Sequence, residues 1–232
     1  MRLRDDEVAY TLKRSTRRRT IAFTVDENGL AVHAPWKSSQ RRIEAAILEA
    51  ADWILKKLDV WSRHETRELR WHNGTALEYI GRPLELEVLA QPILMPAVLV
   101  DPQRLRVTVA DAGAQTRIRD AVVSWYRRHA LRNFAERIAH YAPAMGVRTS
   151  RLALSGAQAR WGSCNAKAEV RLNWRLIQAP QSVIDYVVVH ELAHLIEMNH
   201  SKRFWRVVER NFAGHLEARE HLDRRGRWYL AI

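Results

Sequence analysis

The sequence holds a single cysteine, Cys164, in 232 residues, so no intrachain disulfide is possible. That fits a reducing compartment, where thiols stay reduced. Long apolar runs are also missing. The first twenty residues, MRLRDDEVAYTLKRSTRRRT, contain no apolar core of the kind a signal peptide needs. The longest apolar run, ILMPAVLV, is too short to span a bilayer and is interrupted by a proline. The expectation is a soluble cytoplasmic protein with no membrane partner. No internal repeat and no low-complexity linker occurs either, which excludes a repeat array.

What is present is ample core material. Apolar residues make up 47% of the chain and nine are tryptophan, enough for one large domain or two small ones. The net charge of +12 is unevenly spread. Residues 1–100 carry 16 Lys and Arg against 14 Asp and Glu, and residues 101–232 carry 22 against 12. A basic C-terminal half can face nucleic acid or an acidic partner, or simply be a solvated surface; no nucleic-acid motif accompanies it.

Period-2 patterns predict strands in VAYTLKR and in TIAFTVDENGLAVHAP, with a hairpin turn at Asp26-Glu27-Asn28-Gly29. Ser38 or Ser39 can cap a helix reaching about Arg63, because Ile43, Ile47, Ala50, Ile54 and Leu58 recur at helical spacing. ALEYI, PLELEVLA, PAVLV and RLRVTVA read as further strands, with turns at Asn73-Gly74 and Gly81-Arg82-Pro83. From Ala114 to about His140 the spacing is helical again, with Ile118, Val122, Trp125, Leu131, Phe134 and Ile138 on one face and arginines crowding the rest. RLAL, AQARWGS and EVRLNWRLI read as strands, the last two flanking a turn at residues 164–167. A helix opening with Ser182-Val183-Ile184-Asp185 carries the central motif. A last helix spans roughly 201–213, and GRWYLAI reads as a strand or packed tail. The class is α+β: a β-rich N-terminal region with one helix over 1–112, then a compact core over 113–232.

The motif is HELAHLIEMNH, residues 190–200. Histidines four apart lie one above the other on a helix face, so His190 and His194 can reach one ion. Glu191 is offset by about 100°, which keeps its carboxylate off the metal but near a metal-bound water. Chance explains the pattern poorly: an HExxH arises at random with a probability of roughly 0.03 in a chain of this composition. Catalytic zinc takes about three protein ligands and one open position. On an unbroken helix His200 would lie about 9 Å beyond His194 and about 120° around, out of reach of the same ion. His200 is therefore a third ligand only if the helix stops before Asn199 and the chain turns back. Asn199 tolerates positive φ and can make that turn. Glu209, with Glu217 or Glu220 behind it, is the alternative.

The stretch RWGSCNAKAEVRLNWRLIQAPQSVIDYVVVHELAHLIEMNHSKRFW resembles the core of the YgjP-like metallopeptidases. That family is related to the WLM and SprT-like zinc peptidases of the gluzincin/metzincin type. The likeness is specific over 158–209 and looser over 10–61. It implies a zincin-like core with one Zn2+ held by His190, His194 and His200, and Glu191 as the catalytic base. The expected activity is hydrolysis of a peptide or protein substrate by Glu-assisted attack of a zinc-bound water. The HSKRFW continuation fits the family's third-histidine segment.

Around the ion, Arg160, Trp161 and Gly162 are candidate substrate-binding residues on a strand bordering the cleft, where an extended peptide could pair by its main chain. Trp161 can equally be a core residue at a bulge. Cys164 could add a fourth ligand or simply be a small turn residue. Arg160, Tyr186, His215 and Tyr229 are possible oxyanion donors. Asn173 and Asp185 could support the histidines, or serve as ordinary strand and cap residues. A second function class stays open: a nucleic-acid-associated protein, either processing DNA-bound proteins or binding through a fold with a structural zinc. The oligomeric state is not legible.

Overall fold

The computed structural model describes residues 1–4, 6–26, 29–62, 69–92 and 95–232. The chain forms two compact units, Met1–Thr66 and Arg67–Ile232.

The first unit opens with the short antiparallel pair β1 (Arg2–Leu3) and β2 (Asp6–Glu7). β3 (Tyr10–Ser15), β4 (Ala22–Asp26) and β5 (Gly29–Pro35) follow and form one sheet in the order β3-β5-β4. β3 runs parallel to β5, and β4 is antiparallel to it. Asp26 pairs with Gly29, as a hairpin requires; the expected turn residues 27–28 lie outside the described residues. Two helices pack on the sheet, α1 (Gln40–Glu49) and α2 (Ala51–Ser62). Ser39, not Ser38, caps α1, its hydroxyl accepting from the Arg42 amide at 3.3 Å. Ile43, Ile47 and Ile54 are fully buried against Leu30, Val32 and Ala34, so the helical and the alternating pattern meet in one core.

The second unit begins with a four-stranded sheet: β6 (Ala76–Tyr79), β7 (Arg82–Ala90), β8 (Met95–Asp101) and β9 (Arg104–Val109), in the order β6-β7-β9-β8. The β6–β7 hairpin closes through Ile80 and Gly81, both at positive φ (50° and 72°), the conformation that a two-residue type I′ turn demands. Gly81 is required twice over, since a Cβ there would sit 2.8 Å from Pro180 Cα. α3 (Gln115–Ala144) follows, then β10 (Arg151–Ser155), β11 (Gly162–Cys164) and β12 (Glu169–Asn173), in the order β10-β12-β11. A 3-10 turn (Trp174–Gln178) leads into α4 (Gln181–Ala193), α5 (Lys202–Asn211) and α6 (His215–Leu230).

The mixed α+β class holds, and the two compact units divide at 66/67. Leu77, Leu84, Leu86, Leu105 and Val107 of the four-stranded sheet are buried in the same core as Ile118, Val122, Trp125 and Tyr126 of α3. A change from strand to helix pattern marked a new layer, not a new unit.

Three local expectations are also corrected. Trp174-Arg175-Leu176-Ile177 turns into a 3-10 segment because Asn173 Oδ1 accepts from the Arg175 amide and ends the strand. Only Gly162–Cys164 of the AQARWGSC region is strand. Residues 226–230 belong to the end of helix α6, which the sequence reading missed because its apolar residues are sparse among charges, and only Ile232, buried beyond the helix end, is a packed tail. Among the described residues no helix is long and apolar enough to cross a membrane.

Candidate metal centre

α4 is buried on nearly every side, from Val183 to Ala193, so its histidines emerge only at its end. Pro180 precedes it with no side-chain cap; Asp185, read as a first-turn acid, instead receives Arg137 Nε at 2.6 Å, Tyr141 Oη at 3.1 Å and Gln181 Nε2 at 3.0 Å. It anchors α4 to α3 and does not support a histidine.

The helix stops at Ala193. Leu195 and Ile196 donate to Leu192 and Ala193, the tighter bonding common at helix ends. Asn199 makes the return without positive φ: its Oδ1 accepts from the Ser201 amide at 3.0 Å, and its Nδ2 donates to Glu197 at 2.9 Å. Ser201 then caps α5, accepting from the Phe204 amide at 3.3 Å.

This reversal brings His200 Nε2 to 3.0 Å from His190 Nε2. One nitrogen from each of His190, His194 and His200 lies within 4.8 Å of the others. The set fits a metal ion. Two imidazole nitrogens bound to a tetrahedral zinc at their usual bond length stand about 3.3 Å apart. His194 Nδ1 lies 3.4 Å from the Glu197 carbonyl, which favours the tautomer with a lone pair on Nε2. Burial, reinforced by the other two histidines, pushes the His190 pKa down to about 3, so its ring is neutral and ready to donate a lone pair. Phe204, fully buried, packs on all three imidazoles, with ring centroids 4.9, 4.7 and 4.7 Å from His190, His194 and His200. Glu209, Glu217 and Glu220 are exposed and do not join the cluster.

Glu191 is only 5% exposed, and its Oε2 is buried without a hydrogen-bond partner. Burial pushes its pKa up to about 8, against the pull of the Arg160 charge. Against this carboxylate lies Gly162, the first residue of β11. A Cβ there would overlap Glu191 Oε1 and stand 2.6 Å from Cδ and Cγ. Gly162→Ala is therefore expected to displace the Glu191 carboxylate. A misplacement of that size costs activity about 100-fold, with metal content unchanged. Metal analysis beside a peptidase assay checks this, and full activity in the variant would refute the contact.

The neighbours sort cleanly. Arg160 is exposed, with its charge felt at Glu191. Trp161 turns to α6, where a Cβ on Gly226 would be 3.0 Å from its ring, and it packs edge-on to Tyr229 at 6.3 Å. Asn173 is buried and holds this loop by donating to the Ala157 carbonyl (2.7 Å) and the Arg160 carbonyl (3.3 Å), not to a histidine. Cys164 stays outside the histidine cluster, and burial pushes its thiol up to about 11. Of the possible oxyanion donors, Tyr186 lies edge-on to His190 at 5.9 Å. Tyr229 is committed to His221, 2.7 Å away. His215 stacks on Trp205 at 6.3 Å. Arg219, 5.6 Å over the Trp205 ring, places its charge near His190 and Tyr186; the sequence reading passed over it along with α6.

Residues 19–225 match the family model of the YgjP-like metallopeptidase domain. The chain belongs to the YgjP-like family. Family membership makes it a metal-dependent peptidase in class, and the three-histidine cluster supplies a place for the metal. No curated protein gives a significant match. Among solved structures, the crystal structure of the metallopeptidase zymogen of Pyrococcus abyssi abylysin is similar at 25% identity and a TM-score of 0.35, over 39% of this chain and 90% of that one.

Proposed function

We propose that this YgjP-like protein is a single-zinc peptidase in which His190, His194 and His200 hold the ion and Glu191 is the general base. The observation that carries the reading is the convergence of three imidazoles beside a buried, unpartnered carboxylate. Zinc bound there would supply Lewis acidity to water and to the scissile carbonyl. Glu191 accepts the proton of the attacking water and delivers it to the leaving amine nitrogen. Its confinement between α4 and Gly162 fixes where that proton is taken and given. β11 sits at the edge of its sheet beside Glu191, so an extended peptide adding to it would run alongside the carboxylate. Arg160, Tyr186 and Arg219 are the cationic or hydroxyl groups placed to meet negative charge developing on the substrate.

A purely structural zinc is the competing reading. Such sites are closed by four protein ligands, and Cys164, the single cysteine of the chain, is outside the cluster. The test is metal stripping and reconstitution. Purified protein is expected to carry one zinc per chain, lose hydrolysis of an unstructured protein such as casein on chelation, and regain it with zinc, while its helix content and unfolding temperature change little. Collapse of the fold on chelation, with no activity before it, would favour the structural role.

A further inference from the structure

The overall charge balance hides a sharp segregation within the first unit. Residues 8–25 and 29–43 contain no Asp or Glu at all, yet they carry Lys13, Arg14, Arg17, Arg18, Arg19, Lys37, Arg41 and Arg42. Of the acids in this region, Asp6 and Glu7 fall just before β3 and Asp26 ends β4. The topology puts these groups at opposite ends. β3 and β5 are parallel, with Ser15 opposite Pro35, so the segments that leave them emerge together, and β4 enters at that same end with Ala22 opposite His33. Asp26 pairs with Gly29 at the other end.

At the basic end Thr16, Arg17, Arg18, Arg19 and Thr20 are all exposed, as are Trp36 and Lys37 beside them. The two segments are tied: the Trp36 amide donates to the Ser15 carbonyl at 3.0 Å, and Arg14 Nη1 donates to the carbonyls of Trp36 and Ser38 at 2.8 and 2.7 Å. Trp36 is thus held by its backbone while its side chain remains outside, the residue being 63% exposed. α1 then opens with exposed Arg41 and Arg42 and no acid in its first turn, an arrangement that costs the helix stability because cations there oppose its dipole. An indole held at this arginine-rich end, to which residues 8–25 and 29–43 contribute no acid, matches a chain that offers phosphates and flat bases. An anionic membrane fits less well. The flanking side chains are Thr16, Thr20, Ser39 and Gln40, and a lone tryptophan offers little apolar area to insert.

We propose that this end of the N-terminal unit, centred on Trp36 with Arg14, Arg17, Arg18, Arg19 and Lys37, is a binding surface for single-stranded nucleic acid. Its arginines track the phosphates and Trp36 stacks on a base. This assigns the polyanion contact to the first unit rather than to the basic C-terminal half that composition alone would select.

The test is fluorescence anisotropy of a fluorescein-labelled 20-nucleotide oligothymidylate with the full chain across a salt series. Binding is expected, weakening steeply with salt. Arg17→Ala/Arg18→Ala/Arg19→Ala should reduce the log–log salt slope by about 2, the value for three lost phosphate contacts on a single strand. Trp36→Ala should weaken binding roughly tenfold, and Trp36→Phe, which keeps a ring, should restore most of it. A control on α3, Arg117→Ala/Arg127→Ala/Arg128→Ala, should leave affinity unchanged. Failure of the oligothymidylate to bind overturns the proposal. So does loss of binding in the α3 variant but not the loop variant. Stronger capture by phosphatidylserine vesicles or polyglutamate than by the oligonucleotide likewise reassigns the surface. All substituted side chains are exposed, and circular dichroism melts show whether each variant is folded.

Discussion

Glu191→Gln is expected to keep one metal ion per chain and to lower peptide hydrolysis by about 10²–10⁴-fold, the usual contribution of a positioned base. Glutamine has the same shape and fills the same buried space between α4 and Gly162, so neither the histidines nor the fold is asked to move. What it lacks is the ability to accept a proton. The residue is buried, with one oxygen unpartnered, and lies where the missing Cβ of Gly162 leaves it room. Zinc analysis and a protease assay on the same preparation separate the two roles. An unchanged rate would falsify the mechanism without touching the metal site. Lost zinc would instead show that the carboxylate holds the ion.

The second large effect concerns the third ligand. His200→Ala should weaken zinc binding by more than about a hundredfold, beyond the 10–100-fold that loss of a supporting outer partner costs. Glu209→Ala should leave it unchanged, since that carboxylate is exposed on α5 and outside the cluster. Competition with a chromophoric chelator gives both affinities. Full zinc affinity in the His200 variant would return the choice to an acid on the following helices. His200 is itself exposed, so its removal leaves no buried cavity, and a fall in affinity reads directly as a lost ligand.

How much of this was legible in advance depends on range. Ile43, Ile47 and Ile54 declared helix by spacing alone, although the one helix expected is two, α1 and α2, and the strands of the β3-β5-β4 and β6-β7-β9-β8 sheets followed from alternation, because a buried stripe has the period of its own backbone. His190, Glu191 and His194 were equally plain, since one helical turn sets their relation. α6 was not legible: Ala218, Gly226 and Tyr229 are its buried residues, too few and too widely spaced to outweigh the charges around them. With α6 went Arg219 and the reason that Trp161 packs against Gly226 and Tyr229. Gly162 stood out as a candidate substrate-binding residue, but its neighbour Glu191 could not be named, because a glycine's role depends on what lies where its side chain would be.

The sequence by itself determined the chemistry on offer: two histidines and a carboxylate on one turn of helix, a third histidine six residues on, and a geometric condition that the helix end before Asn199. Only the tertiary structure decided how that condition was met. Asn199 turns the chain by its side-chain hydrogen bonds at ordinary φ, Phe204 packs beneath all three rings, and β11 presses Gly162 onto Glu191. It also decided the boundary between units and the gathering of basic residues at one end of the first. Local pattern fixes what one element presents to its own faces. Which elements share a core, and which charges end up together, depends on contacts between residues far apart in the chain, and no local period encodes those.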